Sequence, residues 1–270
     1  CPSSFLDRSL FMQASSSSQS LDAEIAFIQQ KIRSAPTESN WRMGLFQRYC
    51  QAGRWQKALE QLQAYARMYP AGEPFAYAYR VALQQEQVRE KVFRGELVAP
   101  LAQNAPEWLS VFATTLAGEA KPGLSPGELR EQALQLAPES AGTLDEQPFE
   151  WIADADARLG PVCEVILDGQ YQWLAFEQIE SIRVIEPSSA CDLVWLSAGV
   201  KLWDDESKPA LIPARYPVLD DWSDEHLRST LTSWEEQGEG NWIGRGVKVL
   251  TTDAEEKSLL DIRRIEFKRR

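Results

Sequence analysis

The feature that most constrains the fold is a helical hairpin pattern in the segment NWRMGLFQRYCQAGRWQKALEQLQAYARMYP, residues 40–70. Apolar residues recur at four-residue steps before Gly53, and a second apolar series runs from Trp55 to Pro70. This is the pattern of two α-helices that pack on each other across a tight turn. The small side chain of Ala58 lets the helices approach closely, and the spacing is typical of a tetratricopeptide repeat.

The neighbouring segments predict more helices of the same kind. Residues 21–36 resemble a lone second helix, and residues 74–95 resemble a hairpin that is cut short. The segments PEWLSVFATTLAGEA and SPGELREQALQLAP predict another helix pair. Because each hairpin exposes apolar surface that its neighbour covers, we predict a tetratricopeptide-like stack over residues 21–140.

Helical stacks of this kind leave a groove that commonly holds an extended peptide or an amphipathic helix. First-helix residues that face away from the second helix would line the groove. In this chain, the candidate peptide-binding residues are Met43, Gln47, Cys50, Gln51, Tyr77 and Val81. A purely structural helical layer is the alternative interpretation.

After Pro138 the sequence changes to short runs rich in β-branched and aromatic residues, which predict strands. The segment VCEVILDGQYQWLAF gives the strongest hairpin signal, because Asp168–Gly169 suits a tight turn with positive φ. Further strands are predicted in SIRVIEP, DLVWLSAGVKLW, PALIPARYP, NWIGRGVKVLTTD and LLDIRRIEFK. The segment DEHLRSTLTSWEEQG is predicted to be one helix, with Leu227, Leu231 and Trp234 on one face.

Together these patterns predict a multidomain protein of α and α+β class. Residues 1–20, rich in serine, are expected to form a tail outside the fold, disordered or carried over from cloning. Residues 21–140 are predicted to form the helical domain. Residues 141–270 are predicted to form a mostly antiparallel α+β domain, in part barrel-like.

Charge and cysteine content exclude several classes of function. The formal net charge of −12 disfavours binding to nucleic acid or to an anionic membrane. No apolar run is long enough to span a bilayer. The four cysteines do not form CxxC pairs and the chain has one histidine, so neither a zinc site nor another cofactor is predicted. Reduced thiols in the cytoplasm are the expected state.

The segment EWIADADARLG is the strongest candidate for chemistry, because it gathers Glu150, Asp154, Asp156 and Arg158. If it is helical, Glu150 and Asp154 share a face with Arg158 one turn on, while Asp156 points elsewhere. One hypothesis is a metal-dependent hydrolase that uses the three carboxylates, although more ligands would have to come from distant segments. The other, which we favour, is a structural acidic cluster. His226 is predicted to be a solvated helix residue.

Several segments in their order and spacing closely resemble the ImpE family, also called TagJ, over about residues 21–267. The segments are GTLDEQPFEWIADADARLGPVCEVILDGQYQW, IPARYP and NWIGRGVKVLTTDAEEKSLLDIRRIEF. Members of this family are accessory proteins of the bacterial type VI secretion system. The resemblance implies a cytoplasmic adaptor without enzymatic activity or catalytic residues. It also implies that the protein binds the N-terminal helix of the small, TssB-like sheath subunit and bears on sheath recycling by the ClpV ATPase.

Overall fold

The computed structural model describes residues 19–118, 125–238 and 240–269. Helices occupy most of the first half of the chain, and strands occupy the second half. The α-helices are α1 (Leu21–Ser34), α2 (Ser39–Gln51), α3 (Trp55–Met68), α4 (Glu73–Phe93), α5 (Glu107–Leu116), α6 (Pro126–Leu136) and α7 (Asp224–Leu227). The predicted tail lies outside the described residues as far as residue 18. Ser20 belongs to the fold, because its Oγ accepts a hydrogen bond from the Ala23 amide at 3.2 Å and caps α1.

The predicted hairpin over residues 40–70 is confirmed as the helix pair α2 and α3. Ala58 is fully buried where the two helices pack, together with Phe46 and Leu62. The helices predicted on either side of residues 119–124 are also confirmed, as α5 and α6. The first half of the chain is therefore helical, while its likeness to tetratricopeptide repeats stays a prediction.

The interpretation of residues 74–95 as a shortened hairpin is wrong, because Glu73–Phe93 is one continuous helix, α4. Pro74 occupies its first turn, where a missing amide hydrogen costs nothing, and no glycine or proline interrupts the helix before Gly95. One face of α4 is buried along its whole length, from Ala76 to Phe93. Burial of this continuous face favours one long helix over two short ones.

The second half of the described chain contains the β-strands. They are β1 (Gly142–Leu144), β2 (Gln147–Phe149), β3 (Ile152–Asp154), β4 (Val162–Leu167), β5 (Gln170–Ala175), β6 (Ile179–Val184), β7 (Trp195–Leu202), β8 (Lys208–Pro213), β9 (Thr232–Glu236), β10 (Trp242–Gly246), β11 (Val249–Thr252), β12 (Glu256–Ser258) and β13 (Arg264–Phe267). Eight form a sheet in the order β2-β1-β13-β6-β7-β8-β4-β5, in which neighbours are antiparallel. Strands β12, β11 and β3 form a second sheet, and β9 and β10 form a hairpin.

The predicted hairpin VCEVILDGQYQWLAF is confirmed as β4 and β5. Its turn residues Asp168 and Gly169 have φ of +50° and +78°, as the sequence requires. The predicted antiparallel α+β class is therefore correct. The large sheet has two end strands, β2 and β5, so its strand order does not support the barrel-like detail.

The prediction of a single helix in DEHLRSTLTSWEEQG is wrong. Only Asp224–Leu227 is helical, and Ser229 turns the chain with φ of +59°. The following residues form β9, in which Trp234 lies opposite Gly244 of β10. The apolar residues of this segment have helical spacing, but pairing of β9 with β10 favours a strand. The local sequence pattern contains no information about that partner strand.

The large sheet is buried on both faces. The core of the helical region continues onto one face of the sheet, where Trp173 and Trp195 are fully buried. The other face packs with Leu250 and Ile152 of the three-stranded sheet. None of the helices in the described ranges is long and apolar enough to cross a membrane.

Candidate functional site

The main cluster of buried charges lies between α4 and the sheet and is centred on Glu164 of β4. Arg89 of α4 donates to both carboxylate oxygens of Glu164, from Nε at 2.7 Å and from Nη2 at 3.0 Å. Lys248 forms a second ion pair with Glu164, and the Tyr171 hydroxyl donates to the carboxylate at 2.5 Å. Burial alone would raise the pKa of Glu164, but Arg89 and Lys248 outweigh burial and hold this pKa well below its usual range.

Arg89 also ties α4 to the segment that follows β8. Its Nη2 donates to the carbonyl oxygen of Arg215 at 2.8 Å. One turn earlier, Glu86 accepts a hydrogen bond from the Trp195 indole at 2.8 Å. Because β7 supplies this tryptophan, the buried face of α4 binds polar groups on several strands.

Lys248 extends the network from Glu164 to Asp154, the last residue of β3. Its Nζ lies 3.2 Å from Asp154 Oδ2, and the Tyr216 hydroxyl donates to Asp154 Oδ1 at 2.9 Å. Burial raises the pKa of Asp154 to about 6. The charge of Lys248 lowers this pKa only in part, because the same ammonium group also neutralises Glu164.

The structure brings three of the four residues of the predicted acidic cluster together and leaves Glu150 outside. Asp156 accepts hydrogen bonds from Arg158 Nε at 2.9 Å and Nη2 at 2.6 Å. Its backbone amide donates to Asp154 Oδ1 at 2.9 Å. Glu150 is exposed, and its amide donates to Asp253 at 2.8 Å.

The helical interpretation of this segment is wrong, because β3 ends at Asp154 and a tight turn follows. The Asp154 amide donates to the Gly160 carbonyl at 2.7 Å, and the Arg158 amide donates to Asp156 Oδ1 at 2.8 Å. Aspartate side chains that accept amides two residues on favour turns over helices.

The network leaves little room for a substrate. The cavity beside Asp154, Glu164 and Lys248 measures about 20 Å³, close to the space of one water molecule. Within residues 19–118, 125–238 and 240–269, no group of three or more His, Cys, Asp or Glu side chains is placed to hold a metal ion. Of the carboxylates proposed for a hydrolase, Glu150 lies apart, and Asp154 and Asp156 are engaged by Lys248 and Arg158.

Most of the residues predicted to line a peptide groove are buried in the structure. The side chains of Met43, Gln47, Cys50 and Gln51 are buried. Arg215 donates to the carbonyl oxygens of Cys50 at 2.8 Å and Gln51 at 2.6 Å. A groove open at these four positions is therefore not present in the structure. Two predicted residues remain accessible: Tyr77 is 65% exposed and Val81 is half-buried.

His226 lies in α7, as predicted for a helix residue, but its ring is hydrogen-bonded on both sides. Nδ1 lies 3.0 Å from Ser223 Oγ, and Nε2 lies 2.9 Å from Ser233 Oγ of β9. The imidazole thus connects α7 to β9.

Asp154 gives the network a testable pH dependence. Because its folded pKa of about 6 lies above its usual value of 3.8, its contribution to stability is fully present below pH 3.8 and is lost as pH rises through 6. We expect the stability of the wild type relative to Asp154→Asn to fall by about 2 kcal/mol between pH 4 and pH 7.5. Urea unfolding of both proteins at several pH values measures this difference. A difference that is flat or that rises with pH would contradict the assignment.

Sequence reasoning missed Glu164, Arg89 and Lys248. A signal was present for Glu164, which is the only charge in the otherwise apolar run VCEVIL. In a run that is apolar at nearly every position, the strand has no solvent-facing side, so the charged residue is expected to be buried and to need a buried partner. The identity of that partner could not be read locally, because Arg89 lies 75 residues earlier.

Comparison with known proteins places this architecture in a family. The family model described as ImpE protein matches residues 146–266. The type VI secretion system accessory component TagJ of Pseudomonas aeruginosa is 35% identical over 249 residues, which cover 92% of this chain and 87% of TagJ. The chain belongs to the ImpE family. The resemblance noted in the sequence is thus confirmed.

A solved structure of low sequence identity has a similar fold. The crystal structure of protein VPA1032 from Vibrio parahaemolyticus matches with a TM-score of 0.79 and covers 93% of this chain and 94% of that one. The two sequences are 19% identical, so this match shows a shared fold. The helical half that lies outside the ImpE family model is therefore part of a fold found in another protein.

Proposed function

We propose that this protein is a non-enzymatic accessory protein of a bacterial type VI secretion system. The observation that carries the proposal is its 35% identity to the accessory component TagJ across 92% of the chain. The buried network is consistent with a structural role, because its carboxylates are engaged by Arg89, Lys248 and Arg158. A substrate would find neither a free carboxylate nor a cavity of its size there.

As an adaptor, the protein would act in the cytoplasm and bind the N-terminal helix of the small sheath subunit. By holding this helix it would bear on sheath recycling by the ClpV ATPase. The groove predicted from the sequence is largely covered, so we place the helix on the outer side of α3 and α4. There Tyr77 is the most exposed aromatic residue of the described chain.

A cleft beside Tyr77 suits an amphipathic helix that carries carboxylates. It has a volume of about 220 Å³ and is lined by Gln63, Ala66, Arg67, Glu73 and Arg80. Arg80 pairs with Glu73, and its guanidinium lies 6.0 Å from the centre of the Tyr77 ring. Arg67 forms no ion pair with another described residue. The cleft therefore offers a free positive charge on a protein of net charge −12, next to an aromatic side chain.

Isothermal titration calorimetry with a synthetic peptide of the sheath subunit's N-terminal helix tests both parts of the proposal. We expect Tyr77→Ala and Arg67→Glu each to weaken binding by at least about tenfold, which corresponds to roughly 1.4 kcal/mol. Leu136→Ser is a matched control, because Leu136 is 73% exposed on α6 and its loss should leave binding unchanged. If the wild type does not bind the peptide, the adaptor proposal fails. If it binds and neither variant weakens binding, only the location fails.

A further inference from the structure

We infer that the hairpin β9–β10 is a second interaction surface, which binds an extended, lysine- or arginine-bearing segment of another protein. This goes beyond the proposed function, which places an amphipathic helix on α3 and α4. Three observations support it: an exposed aromatic face, an unpaired carboxylate on the same face, and a free strand edge.

The aromatic face is formed by Trp234 and Trp242, which are 37% and 46% exposed. The strand register places Trp234 opposite Gly244 and Trp242 opposite Glu236. Because directly opposed residues and residues two apart share a face, both indoles and the Glu236 carboxylate lie on one side of the hairpin. Trp234 is held in place by Tyr216, whose ring centre lies 5.8 Å away.

The carboxylate of Glu236 is available to a cation. It accepts a weak hydrogen bond from the Gly240 amide at 3.4 Å, and it forms no ion pair with a described residue. In contrast, Glu235 on the opposite face is paired with Arg245 at 2.6 Å. A lysine or arginine side chain that reaches Glu236 would lie beside two indole rings, where cation–π attraction adds to the ion pair.

The free edge belongs to β9. On β10, the outer edge is occupied, because the Trp242 carbonyl accepts from the Ala157 amide at 2.8 Å and the Gly244 amide donates to Asp156 at 2.8 Å. In an antiparallel pair, opposed residues both direct their backbone groups inward or both outward. The backbone groups of Trp234 and Glu236 therefore point outward, where no described strand pairs with them. An extended segment can add to such an edge as a third strand.

The negative charge around the hairpin favours a bound segment that carries lysine or arginine. The exposed carboxylates Asp220, Asp221, Glu225, Glu235 and Glu236 belong to the hairpin and the segment before it. Arg245 is the basic residue of the hairpin, and it is already bound by Glu235 and Asp220. Carboxylates can also protect a free edge from aggregation. Protection of the edge from aggregation does not explain why Trp234 and Trp242 are exposed, because exposed indoles increase the risk of self-association.

Fluorescence anisotropy with a labelled peptide of alternating lysine and valine tests this inference on the full chain. We expect micromolar binding at low salt and at least a tenfold loss in Trp242→Ser and in Glu236→Lys. Glu206→Lys makes the same change of charge at an exposed position in the loop between β7 and β8, and it should retain binding within about threefold. Because all three positions are exposed, circular dichroism should show unchanged folding.

Three results would overturn the inference. They are no binding by the wild type, equal loss in Glu206→Lys and Glu236→Lys, or equal binding of the matched glutamate–valine peptide. The sheath-helix peptide should bind Trp242→Ser as tightly as the wild type. Failure of the hairpin surface can thus be distinguished from failure of the proposed adaptor function.

Discussion

Glu164→Gln is expected to lower the free energy of unfolding by about 3–5 kcal/mol, the range found when one partner of a buried ion pair is removed. The substitution removes the carboxylate that the buried cations Arg89 and Lys248 share, which leaves them only the longer ion pairs with Glu86 and Asp154. Glutamine keeps the shape and an acceptor for the Tyr171 hydroxyl, so the loss reports charge and not volume. Urea unfolding followed by tryptophan fluorescence and circular dichroism measures it.

The matched control is Glu180→Gln in β6, whose ion pair with Lys201 at 2.6 Å is about one-third exposed. An ion pair at the surface contributes about 0–1 kcal/mol, so this variant should unfold close to the wild type. If both variants lose the same small amount of stability, the ion pairs of Glu164 do not stabilise the contact between α4 and the sheet.

Gly246→Ala is expected to destabilise the fold by about 3 kcal/mol or more. Gly246 has φ of +96°, a conformation that costs L-residues roughly 1–2 kcal/mol. An added Cβ would also lie 1.9 Å from the carbonyl oxygen of Leu231, so the backbone itself would have to move. Overpacking of this kind costs about 1–3 kcal/mol. Urea denaturation again provides the measurement.

Gly238→Ala separates the two contributions. Gly238 has φ of +76°, but an added Cβ would meet no atom within 4 Å. It should therefore show only the conformational cost of roughly 1–2 kcal/mol. An equal loss at both positions would mean that the close approach of Gly246 to Leu231 can relax without cost.

The parts of the fold that could be predicted from the sequence are those whose structure depends on residues close together in the chain. The helix pair α2–α3 follows from apolar residues at helical spacing on both sides of Gly53. The β4–β5 hairpin follows from alternation around Asp168–Gly169. In contrast, residues 224–238 carry apolar residues at helical spacing, but pairing of β9 with β10 decides their structure.

The buried network could not be predicted, because its members are brought together only by the complete fold. Arg89 and Glu164 are 75 residues apart, and Lys248 and Asp154 are 94 residues apart. The groove residues illustrate the same difficulty. The helical pattern predicts that Gln47 and Gln51 line an open groove, but both are buried, and Arg215 from beyond β8 binds the Gln51 carbonyl.

The ion pair between Arg89 and Glu164 limits where the chain can be cut into fragments that still fold. A cut near residue 140, where the composition changes, would remove one of the two cations that neutralise Glu164. It would also bare the sheet face on which Trp173 and Trp195 pack against the helices. We therefore expect that residues 146–266, the segment matched by the ImpE family model, do not fold stably without the helices.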